Sequence, residues 1–142
     1  MNKEAEYLYL AVDRTNVPDA DALCKGLQKH LEAHLSRSYA NRIRSMRWHS
    51  RECGENVLIH IEMNACSLIT FHGTKKARAF FMEFMRHALS FLRPFAKTPR
   101  LILYNDEISC DEALGNPETW TLAELEARRL PAGNAIAISD AP

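Results

Sequence analysis

The chain has no apolar run approaching the roughly 20 residues that a membrane-spanning helix requires, so a membrane partner is not expected. It has no C-x-x-C pair: Cys24, Cys53, Cys66 and Cys110 stand far apart, a pattern that predicts free thiols in a reducing compartment. Its five glycines are scattered and form no phosphate-cradling loop, and no Ser/His/Asp order of a hydrolase is present. Residues 1–6 lack the charged-then-apolar layout of a secretory leader. Together these absences predict a cytoplasmic protein with no cofactor, no metal and no catalytic residues.

What is present is an uneven distribution of charge. The 142 residues sum to zero, yet residues 25–100 hold fourteen Lys and Arg against five Asp and Glu, together with all six histidines. Residues 1–24 carry a net −3 and residues 101–142 a net −6. A basic middle between acidic ends fits a polyanionic partner, or an acidic tail folded back over the basic segment. Apolar and charged fractions of 46% and 25% are those of an ordinary globular domain.

Hydrophobic spacing supplies the elements. Leu8, Leu10 and Val12 alternate with Tyr7, Tyr9 and Ala11, predicting a strand over residues 6–12. Ala20, Leu23, Leu27, Leu31, His34 and Leu35 form one stripe at helical spacing, with Lys25, Lys29 and Glu32 opposite, predicting a helix over residues 20–38. Ile43 would fall on the far side if that helix continued, so its end is placed before Asn41. Residues 42–50 and 56–63 read as a hairpin turning at Glu52, Cys53, Gly54 and Glu55, and residues 67–72 as a third strand of a meander. A second helix runs over residues 75–92, with Phe80, Phe81, Phe84, Ala88, Phe91 and Leu92 as a core face, and Pro94 stops it. Residues 101–104 give another strand. Residues 106–120 read as an acidic loop, residues 122–129 as a short helix with the Thr121 and Glu124 capping-box spacing, and residues 131–142 as a disordered tail.

The predicted architecture is an α+β two-layer sandwich in the order βαβββαβ. Two amphipathic helices cover one face of a mainly antiparallel sheet. Residues 1–105 make the domain and residues 106–142 an acidic C-terminal extension. The stretch Val12-Asp-Arg-Thr-Asn-Val-Pro-Asp-Ala-Asp-Ala-Leu-Cys-Lys-Gly-Leu-Gln-Lys-His-Leu31 closes a strand on Arg and Asn-Val and opens a Leu/Lys helix on Asp-Ala-Leu. With the βαβββα order of residues 6–93, it resembles the ribosome hibernation-promoting factors, also called ribosome-associated inhibitors. That resemblance implies a double-stranded-RNA-binding-domain-like fold and ribosomal RNA binding through basic helix faces. The matching positions here are Lys25, Lys29, Lys75, Arg86 and Arg93. The second helix departs from the family by beginning Thr74-Lys-Lys-Ala in place of an acidic, tyrosine-bearing turn.

The residues themselves favour a non-enzymatic, RNA- or ribosome-binding regulator. Arg37, Arg42, Arg44, Arg47 and Arg51 are interleaved with Tyr39, Trp48 and His49, combining phosphate-directed charge with rings that can stack on bases. Lys76 and Arg78 flank the second helix's basic face. The rival reading is a protein-binding module, a dimerising adaptor or a small inhibitor of a nucleoprotein complex of the kind mobile genetic elements encode. Its interface would be Tyr7, Tyr9, His60 and Trp120. Two weaker patterns complete the set. Cys24 with His34 could act as a nucleophile–base pair, and His30 with His34, four residues apart, has a zinc-binding spacing to which His60, His72, Cys53 and Cys66 could add.

Overall fold

Alternation in residues 5–13 becomes the strand on which the sheet is built. The computed structural model describes residues 5–17, 19–64, 75–96, 98–104, 118–128 and 136–139. In chain order these are β1 (Ala5–Asp13), α1 (Ala20–His34), α2 (Arg37–Ser45), β2 (Arg47–Cys53), β3 (Asn56–Asn64), α3 (Lys75–Leu92), β4 (Arg100–Tyr104), β5 (Glu118–Trp120), α4 (Leu122–Ala127) and β6 (Ile136–Ile138). The strands form one sheet in the order β2-β3-β1-β4-β6-β5. All pairings are antiparallel except β5 with β6. The α+β class with a mainly antiparallel sheet stands.

Register carries the core across the sheet. Ser50, Ile59, Leu10, Leu101 and Ile136 lie abreast on five successive strands. The four apolar members of that row are fully buried beneath the helices. Cross-strand apolar neighbours of this kind are the unit of sheet stability. From the helices, Leu23, Leu27 and Leu31 of α1 and Phe80, Phe84, Ala88 and Leu92 of α3 meet this face in the same cluster. Gly26 lets α1 approach α3: a Cβ there would stand 3.0 Å from the ring tip of Phe91. Asp19 caps α1 by accepting from the Asp21 and Ala22 amides.

The single helix expected over residues 20–38 is two. α1 ends at His34, Leu35 takes an extended conformation, and α2 restarts at Arg37. The break resolves the conflict visible in the sequence. An unbroken helix would point Ile43 outward, whereas the new axis buries Ala40 and Ile43. Arg42 and Arg44 therefore lie on α2, and the hairpin's first arm begins only at Arg47. The hairpin turns on Gly54 and Glu55 alone, with Gly54 at φ +61°, a left-handed conformation that glycine adopts without steric cost. The strand expected over residues 67–72 lies outside the described residues.

The C-terminal segment differs most from expectation. Glu118–Trp120, read as loop, is an edge strand, and Ile136–Ile138, read as disordered tail, is a buried strand between β4 and β5. A parallel pair needs a crossover, and α4 lies in it, so β5, α4 and β6 make a small β-α-β unit. The capping box at Thr121 and Glu124 forms as expected, with α4 spanning Leu122–Ala127. The boundary expected at residue 105 does not divide the sheet, because β5 and β6 extend it. Cys53, expected as a free thiol, is disulfide-bonded to a partner outside the described residues, whereas Cys24 is free and buried. No helix among the described residues is long and apolar enough to cross a membrane.

Candidate nucleic-acid interface

The basic residues divide into groups that the linear charge count could not separate. On α2, burial of Ala40 and Ile43 turns Arg37, Asn41, Arg42 and Arg44 into solvent, and Met46 alone separates this helix from Arg47 at the start of β2. Arg37, Arg42 and Arg47 are exposed and in no ion pair among the described residues. The Arg42 guanidinium lies 5.7 Å over the Phe80 ring, leaving its outer face to solvent. Arg44 is committed within the chain, donating to Glu32 at 2.8 Å and to Asn41 at 2.7 Å. A shallow groove between the end of α1 and α2 is lined by Glu32, Leu35, Arg37, Ala40, Asn41 and Arg44.

On α1, Lys29 is exposed, while Lys25 is paired with Asp21 at 3.1 Å, which holds its ammonium above its ordinary pKa. Both are solvent-screened surface groups. On α3, Arg78 donates to the backbone carbonyls of Leu125, Glu126 and Arg128, satisfying the otherwise unpaired C-terminal carbonyls of α4. Arg86 reaches the Glu126 carboxylate at 3.4 Å. These two arginines hold the acidic C-terminal unit in place. Lys75 and Arg93, both exposed, stand at opposite ends of α3, roughly 27 Å apart at 1.5 Å per residue. The side chain of Lys76 is outside the described set. Of the eleven basic candidates, Arg37, Arg42, Arg44 and Arg47 fall on α2 and the first residue of β2, while the described candidates of α3 are either engaged or far apart.

Two of the three interleaved aromatics, Tyr39 and Trp48, are not open platforms. Tyr39 is half-buried and edge-on to Phe80 at 4.9 Å. Trp48 is half-buried, stacks toward Phe84 and donates Nε1–H to the Ile43 carbonyl at 3.2 Å. They brace α2 and β2 against α3, and His49 is the exposed ring of the three.

The expected protein interface is also closed. Tyr9 is fully buried and stacks at 4.7 Å on His60, itself only 8% exposed. Trp120 is 2% exposed, with the Arg128 guanidinium 4.0 Å above its ring. These three are interior residues and present no surface to a partner. Tyr7 pairs with Glu62 in register, and its side chain is outside the described set.

The two chemistry-bearing patterns resolve differently from expectation. Burial pushes the Cys24 thiol up to about 11, the reverse of an activated nucleophile. Ten residues of α1 put it about 15 Å along the axis from His34, so the two do not pair. His30 and His34 do meet, with rings stacked 4.1 Å apart, and His87 of α3 joins them. Among the described residues no group of three His, Cys, Asp or Glu is arranged to hold a metal ion. The sequence reading missed His87 because its approach to α1 depends on the α1–α3 contact. The only linear signal was the His30/His34 spacing.

Comparison of the chain with protein-family models, curated proteins and solved structures finds no match.

Proposed function

We propose that this chain is a non-enzymatic binder of RNA, contacting phosphates through α2 and the start of β2. Arg37, Arg42 and Arg47 are the contact residues, and Arg44 joins them if phosphate displaces Glu32. The supporting observation is the exposure of three arginines, free of carboxylate partners among the described residues, within eleven positions of the chain. Neutralising phosphates releases counterions, so such a surface binds with strong salt dependence. The hibernation-factor-like stretch makes ribosomal RNA the first RNA to test. The test is fluorescence anisotropy with a labelled RNA hairpin at 50 and 200 mM salt, comparing the native chain with R37A/R42A/R47A. Binding that weakens steeply with salt, and a variant whose log–log salt slope is shallower by about three, fit the proposal. Salt-independent binding, or a variant that binds as tightly as the native chain, overturns it.

The second reading, a protein partner, is favoured by a different observation. β2 is the outermost strand at its side of the sheet and exposes Arg47 and His49. An open edge accepts an added strand, and basic residues on it select an acidic one. A homodimer through this edge would set basic residues against their own copies, so a foreign acidic strand fits better. Protection of β2 amides from hydrogen exchange by an acidic peptide, and not by RNA, would favour this reading.

The Cys53 disulfide weighs against a reducing compartment, since stable disulfides belong mainly to oxidising ones. Maleimide labelling of the chain in its native cells, with and without reductant, decides the compartment.

A further inference from the structure

We propose that the α1–α3 contact, where the rings of His30, His34 and His87 cluster, is a proton-sensitive joint, weakened when His30 takes up a proton. The three rings form one cluster across the two helices, with centroid separations of 4.1, 5.8 and 6.3 Å. Phe91 packs on His30 at 5.3 Å, and Gly26 abuts the same Phe91, so the interface is tight where the imidazoles sit.

The surrounding charge cannot neutralise three imidazolium ions. Glu83 on α3 lies 3.6 Å from His87 Nε2 and is the one carboxylate paired with the cluster among the described residues. The neighbouring charged groups on α1 are Lys29 and Glu32, the latter held by Arg44 of α2. On α3 the other neighbour is Arg86, held by Glu126 of α4. His34 is exposed in the last turn of α1, with Nδ1 2.8 Å from the His30 carbonyl. His34 and His87 thus both stand beside His30, at 4.1 and 6.3 Å. His30 Nε2 is buried and makes no hydrogen bond, and the His87 backbone, which favours a proton on this ring, is outweighed by burial and the two neighbouring imidazoles.

Burial first, then the charges of His34 and His87, hold the His30 pKa below its ordinary 6.5. A histidine depressed in the folded state binds fewer protons than the unfolded chain does. Its contribution to stability is therefore complete above about pH 6.5 and is lost as pH falls toward the lowered value. No metal is needed for this behaviour, and adding EDTA leaves it unchanged.

The test is urea unfolding of the full chain in EDTA at pH 7.5 and 5.5, for the native sequence, His34→Gln and H34Q/H87Q. NMR titration of the imidazole protons follows in the same samples. The native unfolding constant is expected to rise severalfold more on acidification than that of the double variant. The His30 midpoint should lie below the ordinary histidine value and move upward when His34 becomes Gln. Since His34 is exposed, that single variant folds even if the double one does not. Equal pH dependence in the native chain and His34→Gln, or a His30 midpoint that does not move, overturns the proposal.

Discussion

The arginines of α2 and those of α3 belong to the same basic segment of the chain, yet they end in opposite circumstances. Arg37 and Arg42 project from a helix whose opposite side is buried, and nothing among the described residues neutralises them. Arg78 and Arg86 sit on a helix against which the acidic C-terminal unit docks, and they are consumed in holding it. Positive charge in a sequence records a requirement for a negative partner, and only the fold shows whether the chain supplies that partner itself. Here Arg78 and Arg86 of α3 are answered internally by α4, whereas Arg37 and Arg42 of α2 meet no carboxylate among the described residues.

The sharpest way to break this comparison is to undock α4. Leu125→Ala removes a fully buried side chain from the shared core and should cost about 2–5 kcal/mol by urea unfolding. A loss below about 1 kcal/mol would mean that α4 is not part of the core. Arg78→Ala leaves the terminal carbonyls of α4 without their donor. It is expected to cost about 1–3 kcal/mol while leaving the RNA salt slope unchanged. A changed slope would return Arg78 to the binding surface. R37A/R42A/R47A sharpens the other half. It should weaken RNA binding by tenfold or more while costing stability no more than about 0.5 kcal/mol per site, as for other surface substitutions. Thr121→Ala, which opens the capping box, should cost about 1 kcal/mol by the same unfolding assay. The smallest effect is expected from Arg86→Ala. The Arg86–Glu126 pair is 49% and 58% exposed, and calorimetry should show a loss below about 1 kcal/mol.

Trimming the acidic tail is not a clean way to free the basic surface. β6 lies between β4 and β5, so removing residues 106–142 strips two strands and exposes the flank of β4. Point substitutions at Glu126 separate charge from structure better.

Legibility followed the length of the repeating pattern. α3, with eighteen residues and a wide apolar stripe, has the same limits in sequence and structure, and β1 and β3 follow from strict alternation. The break between α1 and α2 was half legible. Ile43 signalled that one straight helix could not serve, but not that a second helix would begin at Arg37. β5 and β6 have three residues each, too few for any period to register, and they exist because β4 offers an edge to pair with. At the candidate site the arginines of α2 were legible as charge. Their separation from Arg78 and Arg86 was not, nor was the engagement of Tyr39 and Trp48 in packing, since both depend on contacts between distant segments.

The sequence by itself determined the α+β class, the apolar faces of α1 and α3, the alternating strands and the concentration of positive charge in the middle. Each of these is local and repeats with the backbone's own period. The tertiary structure alone decided which arginines remain available, that Tyr9, His60 and Trp120 are interior, that Cys53 is bonded, and that His87 completes a cluster with His30 and His34. All of these depend on residues far apart in the chain becoming neighbours, and pairing and burial are properties of the neighbour as much as of the residue.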